Sequence, residues 1–251
     1  MTRLPVDFFA FPLNLILALV WIGLCVLALK SARKSLFVRF MLSPAATFIS
    51  IGSVLCASLA IGLTGDESMT GTWWFAAIIF FMQTVLLFVI MRRWRSITFL
   101  LLHLGLLVIL SSAFWGAPDV KTLRMHLFQD VPCKEAVSMD GRREWLDYEL
   151  VLKDFTVDFS EEGIPVMYEA DVLIDGCRTV LKVNHPYDKG LADDIYLISY
   201  DDVYTVEKNC TVQIVREPRK YAMAAGIIML LAGALLLFIT GPDRRTVKND
   251  D

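Results

Sequence analysis

The chain has 251 residues, is 56% hydrophobic and carries a formal net charge of −3. Soluble domains are usually about 45–50% apolar, so this composition argues against a single soluble globule. Five stretches of 22 to 26 residues lack Asp, Glu, Lys and Arg. About 20 apolar residues span the hydrocarbon core of a bilayer. Nearly half of the chain is therefore typical of membrane-spanning segments.

The uncharged stretches predict the domain organisation. The first is expected to be a retained helix, because it is longer than the apolar region of a signal peptide and is followed by several basic residues. Residues 1–118 are predicted to hold four transmembrane helices, 119–220 a separate domain, 221–242 a fifth helix and 243–251 a cytoplasmic tail. The first four helices are predicted at about 8–29, 41–64, 71–91 and 97–116.

Basic residues predict the orientation in the membrane. They cluster between spans 1 and 2, between spans 3 and 4, and after span 5. In a chain with five spans, these three segments lie on the same side of the membrane. The positive-inside rule makes that side cytoplasmic. The chain is thus expected to be a multi-pass protein of the inner membrane, with residues 119–220 periplasmic. That segment has 21 acidic and 13 basic residues, which argues against nucleic acid as a partner.

Residues 119–220 change from a helical period to a period of two. The alternating runs are 123–128, 146–152, 155–159, 164–174, 178–184, 194–200 and 210–216. Gly141, Gly163, Gly176 and Gly190 each follow a polar residue between such runs, as in hairpin turns. The predicted fold class is therefore a multi-pass α-helical membrane protein of about five transmembrane helices, with an inserted extracytoplasmic all-β domain of sandwich or barrel-like form.

The cysteines give little support for redox or metal chemistry. None of the five lies in a CxxC or CxxCH motif, so a thioredoxin-type site, a zinc ribbon and a c-type haem attachment site lack support. Cys133, Cys177 and Cys210 allow at most one disulfide within 119–220, and incidental thiols or a structural bridge are favoured. Hydrolase, metalloprotease and nucleotide-binding motifs are absent as well.

The three histidines differ in their surroundings. His103 is the one ionisable residue of the Asp, Glu, Lys, Arg and His set inside a predicted span. Such residues are functional candidates, and neutral imidazole is a good axial ligand for haem iron. The alternative is an imidazole bonded to a carbonyl of a neighbouring helix. For His126 and His185 a surface histidine is favoured, with haem ligation as the alternative. Asn184-His185-Pro186 also predicts a turn.

Several segments together resemble the ResB family, also called CcsB, of system II cytochrome c biogenesis proteins. The segment Phe99–Leu106 resembles its histidine-bearing span, and the match covers about 73–240. The other matching residues are Asp154, Phe155, Gly163, Pro165, Asn184, Pro186, Tyr196, Tyr200, Arg216 and Pro218. Phe159 stands where the family has Tyr, and Leu197 stands where Gln is usual.

The resemblance implies a membrane subunit that helps to bind and export haem and to deliver it to apocytochrome c. It implies a partner of the CcsA/ResC type, because that partner holds the tryptophan-rich segment that this chain lacks. His103 would then be one axial ligand of haem shared with the partner. By this reading the chain is not an enzyme alone. The alternatives are a scaffold without haem whose outer domain binds a partner protein, and a transporter or sensor subunit.

The orientation is testable with topology reporters. A reporter fused within residues 130–210 is expected to act as an extracytoplasmic protein, because the basic loops hold the opposite side in the cytoplasm. Paired alkaline phosphatase and green fluorescent protein fusions measure this. A fluorescent, phosphatase-inactive fusion in that range would contradict the predicted orientation.

Overall fold

The computed structural model describes residues 5–190, 192–200 and 208–241, and within them the chain forms six α-helices and eight β-strands. The predicted tail, residues 243–251, lies outside the described residues. Two compact units divide the chain: one is Asp119–Pro218, and the other is built from the residues on either side. The helices are α1 Leu13–Ser31, α2 Leu36–Met41, α3 Pro44–Thr64, α4 Trp73–Arg92, α5 Ile97–Gly116 and α6 Lys220–Thr240.

Five of these helices are long and apolar enough to cross a membrane, which confirms the predicted helical class. Helix α1 begins at Leu13, five residues later than predicted. The reason is Pro12, which has no N–H to continue a helix from Phe8. Helix α2 escaped prediction because six residues are too few to show a period; it buries Val38 and Met41 in the helical core.

Helices α5 and α6 cross with their backbones in contact. A Cβ on Gly105 would lie 2.8 Å from the backbone oxygen of Gly226, and one on Gly226 would lie 2.8 Å from Ile109. Gly233 packs as closely, because a Cβ there would lie 2.9 Å from the backbone nitrogen of Leu102. Small residues at membrane helix interfaces allow this approach, and the resulting dispersion contacts hold the helices together.

Polar side chains inside the helical unit bond within it. The Asn14 amide donates to the carbonyl of Trp115 at 2.7 Å, and the Trp21 indole donates to Thr84 at 3.1 Å. Gln83 is fully buried and accepts from Ser111 at 3.1 Å. These bonds join α1, α4 and α5 to one another. A transporter needs polar side chains along a pathway through its spans. In this chain, Asn14 and Gln83 instead bond to neighbouring helices.

The unit Asp119–Pro218 is a single antiparallel sheet of eight strands. The strands pair in the order β5-β4-β3-β2-β1-β8-β7-β6. They are β1 Lys121–Phe128, β2 Cys133–Ser138, β3 Arg143–Phe159, β4 Pro165–Ile174, β5 Cys177–Lys182, β6 Tyr187–Asp188, β7 Asp193–Tyr200 and β8 Asn209–Arg216. Lys182 and His185 form an isolated bridge in the turn that connects the two edge strands, β5 and β6. The sheet is nearly closed and barrel-like, so of the two predicted forms the sandwich is not adopted.

The predicted turns connect the strands. Gly141, Gly163, Gly176 and Gly190 all have positive φ, and Asp175 before Gly176 has φ 49° as well. Two successive positive φ values characterise the type I′ turn, whose twist matches that of paired strands. Inward-facing side chains of the alternating runs form the core. The short strands β2 and β6 were not predicted from the sequence.

A buried polar network ties three strands of the barrel. Arg216, on β8, donates two hydrogen bonds to the carboxylate of Asp193 on β7, at 2.7 and 2.9 Å. Tyr148, on β3, donates to the same carboxylate at 2.9 Å. Burial raises the pKa of Asp193, but the hydrogen bonds from Arg216 and Tyr148 outweigh it and leave the pKa below its usual value. The pKa of Tyr148 is raised by burial and by its bond to Asp193.

The glycine contact predicts that Gly226→Ala destabilises the helical unit. The added methyl group would overlap Ile109 and Gly105, and overpacking costs about 1–3 kcal/mol. Thermal unfolding in detergent measures the change. Gly23→Ala is the matched control, because nothing lies within 4 Å of its Cβ position. A loss of stability of equal size in both variants would contradict the close crossing.

The polar network predicts an acid-sensitive stability term. Because the folded pKa of Asp193 is lowered, its stabilising effect is present above the unfolded pKa of about 4 and is lost as pH falls through the folded pKa. Asp193→Asn should cost about 2–3 kcal/mol at pH 7, since Arg216 loses a buried partner. The difference from wild type should shrink toward pH 2.5, as measured by thermal unfolding of the full chain.

An exposed ion pair provides the control for that experiment. Asp171 binds Arg178, whose side chain is 72% exposed. Asp171→Asn should therefore cost much less stability than Asp193→Asn. An Asp193→Asn effect as small as this, or one that does not change with pH, would show that the network contributes little.

Candidate functional site

His103 lies in the first half of α5, on the side away from α6. It precedes Gly105 by two positions, which is about 200° around an α-helix, and Gly105 faces α6. The glycine contact thus fixes the direction in which the imidazole points. The side chain is neither buried nor fully exposed. It is therefore open to a group that approaches the helix from outside the chain.

A hydrogen bond determines which imidazole nitrogen is available. Nδ1 of His103 lies 2.9 Å from the carbonyl oxygen of Phe99, one helical turn earlier. A carbonyl can only accept, so Nδ1 carries the proton and the neutral ring keeps its lone pair on Nε2. Within the described residues no hydrogen-bond partner of Nε2 is found. The alternative predicted for His103, a bond to a neighbouring helix, is replaced by a bond within α5.

Phe99 holds the ring in place. The Phe99 and His103 rings are stacked, with centroids 3.7 Å apart and planes at 21°. The guanidinium carbon of Arg93 lies 5.8 Å from the Phe99 centroid, within the range of a cation–π contact. His103 is therefore oriented by one hydrogen bond and one stacking contact. Both come from the residue one turn before it on α5.

This donor set fits one axial ligand to haem iron. A ligating imidazole commonly donates its other N–H to a carbonyl, which fixes the tautomer, and His103 has this arrangement. Within the described residues no group of three His, Cys, Asp or Glu residues is placed to hold a metal ion. The sequence has no other histidine in a span.

The other two histidines lie on the surface of the barrel. His126 is on β1, where its Nδ1 is 2.9 Å from the hydroxyl oxygen of Thr211 and its ring meets Phe128 edge-on. His185 is exposed in the turn before β6. Asn184 in that turn has φ 64°, and the His185 amide donates to the carbonyl of Lys182 at 3.1 Å, so the turn predicted for Asn-His-Pro is present.

Family-like residues on β3 and β4 form one long hairpin. Asp154 lies at a register shift of β3 and forms an ion pair with Lys208, whose hydrogen bond lowers the pKa of the carboxyl. Phe155 packs in the barrel core. Gly163 occupies the turn, and Pro165 begins β4 opposite Phe159. These residues shape the hairpin and its turn.

The remaining family-like residues surround β7 and β8. Tyr196 pairs with Gln213 through the backbone, and the backbone of Tyr200 pairs with that of Cys210. Pro186 and Pro218 are exposed next to strand ends. Arg216 is the exception with a clear chemical role, because its guanidinium binds Asp193 in the buried network. The structure thus brings Arg216 together with two residues that the sequence did not single out.

The cysteines are all free thiols. Cys210 is buried in the barrel core, and burial raises the pKa of its thiol to about 12. Cys177 is exposed, and Cys133 is partly exposed, with its thiol 3.5 Å from the carbonyl of Glu135. Of the two favoured interpretations, incidental thiols rather than a structural bridge describe them.

A comparison with protein families agrees with the family-like segments. A model of the ResB-like family matches residues 92–217. No curated protein matches the chain significantly. Among solved structures, one titled "Cytochrome c Heme Lyase CcmF" aligns at 12% identity and a TM-score of 0.39, over 93% of this chain and 35% of that one. The chain therefore corresponds to about a third of the length of that protein.

The matched region runs from the end of α4, through α5 and His103, to the end of β8. It covers half of the chain and includes nearly the whole barrel. On this basis the chain belongs to the ResB-like family.

Proposed function

We propose that this chain is a membrane subunit of a system II cytochrome c biogenesis complex. Membership in the ResB-like family supports the role in cytochrome c biogenesis. Within that complex, we propose that the chain helps to bind haem in the membrane and to deliver it to apocytochrome c. The observation behind this role is the available Nε2 of His103, which Phe99 orients inside a span.

His103 would hold the iron of the transported haem. Its Nδ1–H stays on the Phe99 carbonyl, so Nε2 binds iron without a proton being lost. The stacked Phe99 ring limits rotation of the imidazole. Haem supplies the iron that the imidazole holds and the group that is attached to the apocytochrome thiols. The apolar spans exclude water around the ligand.

A membrane partner of the CcsA/ResC type would supply a second imidazole. His103 is the one histidine of the sequence that lies in a candidate span, so a second histidine at this depth would come from the partner. His103 is on the side of α5 away from α6 and partly exposed, so a partner helix has access to it. Haem is thus bound by the complex rather than by this subunit, and the chain alone is not an enzyme.

The barrel acts on the periplasmic side of the inner membrane. The basic loops between spans support this placement by the positive-inside rule. In this position it helps to present the partner and the apocytochrome to each other near the point where haem leaves the membrane. His126 and His185 belong to its surface, and they take no part in holding haem within the spans.

Replacement of His103 tests haem ligation. His103→Ala should abolish the haem absorption bands of the complex purified with its partner, because one axial ligand is lost. Added imidazole, which supplies that nitrogen from solution, should restore them. Circular dichroism of the variant reports whether the helices remain folded.

His126→Ala is the matched control and should keep the bands, since its ring is bonded to Thr211 on the barrel. Unchanged haem content in a folded His103→Ala complex would rule out ligation by His103. Continued cytochrome c maturation in the same variant would then favour the scaffold alternative, in which the barrel binds a partner without haem.

A further inference from the structure

A pocket of about 300 Å³ lies between the termini of three membrane helices. It is formed by the beginning of α3, the end of α4 and the beginning of α5. Its lining residues are Leu42, Ser43, Pro44, Thr47, Phe48, Val89, Arg92, Arg93 and Phe99. Apolar side chains form most of the wall. The two arginines give the pocket a positive charge.

The polar groups in this pocket favour an anion. The Ser43 hydroxyl is already engaged, because it donates to the carbonyl of Phe40 and accepts from the amide of Ala46. Arg92 donates from Nη1 to the carbonyl of Leu42 at 3.3 Å, and Arg93 lies over Phe99. These two guanidinium groups, with five N–H groups each, are the main source of positive charge toward a ligand. The sequence contains no Asp or Glu between residues 8 and 65 or between 68 and 118. No carboxylate from these segments reduces the positive potential at the pocket.

The position of the pocket identifies the source of the anion. Arg92 ends α4, and Pro44 begins α3, so the pocket lies at the level where the spans leave the hydrocarbon core. Lipid phosphates occupy this level of a bilayer. Basic pockets between transmembrane helices on the cytoplasmic side bind anionic headgroups. By the charge rule applied above, this end of the spans is the cytoplasmic one.

We propose that the pocket binds the phosphate of an anionic phospholipid, with Arg92 and Arg93 on the headgroup and the acyl chains along Phe48 and Val89. Phe48 in the pocket wall is 76% exposed. An acyl chain would cover this apolar side chain, whereas a free phosphate ion would leave it uncovered. The lipid site adjoins His103, because Phe99 lines the pocket, stacks on His103 and lies 5.8 Å from the guanidinium carbon of Arg93.

Lipid retention tests this site in the full chain. Wild-type protein in detergent should retain phosphatidylglycerol in preference to phosphatidylcholine, as measured by native mass spectrometry. The double variant Arg92→Gln/Arg93→Gln should bind phosphatidylglycerol at least about tenfold more weakly, because two charged donors are removed. The matched control is Arg95→Gln, which removes a charge from the same loop outside the pocket lining and should behave like wild type.

Three results would overturn the lipid site. These are equal retention of both lipids by wild type, equal loss in Arg95→Gln and in the double variant, and displacement of phosphatidylglycerol by millimolar sodium phosphate. The last would assign the pocket to free phosphate. If circular dichroism shows that the double variant does not fold, the single variant Arg93→Gln replaces it. A loss of phosphatidylglycerol in that variant supports the site, and unchanged retention overturns it.

Discussion

The backbone contact between α5 and α6 is the constraint on which the helical unit depends. Hydrocarbon offers no hydrophobic driving force between helices, so association relies on close packing and on bonds between polar groups. Gly105, Gly226 and Gly233 provide the first, because each lies where a Cβ would overlap the opposite helix. The bond between Asn14 and Trp115 is an example of the second. Together they fix α5, and with it the direction of His103.

His103 illustrates how a membrane environment restricts chemistry. In water, an imidazole has many partners and two tautomers of similar energy. In an apolar span, an unbonded N–H costs several kcal/mol, by rough transfer estimates. The Phe99 carbonyl therefore selects the tautomer, and the nitrogen that remains is an acceptor rather than a donor. Stacking against Phe99 restricts the rotation of the ring further. A single residue one turn away thus orients the histidine.

The sequence predicted features that leave a local trace. Five uncharged stretches identified the spans, and alternation with glycine turns identified six of the eight strands. Strand β6, with two residues, has too short a pattern to detect, and the bounds of α1 depended on the effect of Pro12. His103 stood out because no other Asp, Glu, Lys, Arg or His lies inside a predicted span.

What could not be predicted depends on contacts between distant residues. Tyr148 and Asp193 are 45 positions apart, and nothing in the sequence around either residue indicates that their side chains form a hydrogen bond. The resemblance drew attention to Arg216, but only the pairing of β7 with β8 brings it to Asp193. The stack of Phe99 on His103 is different, because residues four apart on one helix lie one above the other and their contact follows from the sequence spacing. The sequence revealed which residues were unusual, and the structure revealed their partners.

The pairing of β1 with β8 has a consequence for how the chain is assembled during synthesis. Lys121 pairs with Arg216, so the first and last strands of the barrel lie side by side. The barrel begins five residues after α5 and ends four residues before α6. Without it, joining α5 to α6 would require closing a loop of about a hundred residues, which costs conformational entropy. A folded barrel closes that loop beforehand. The emerging α6 is then delivered to the glycine surface of α5 as a local partner rather than a distant one.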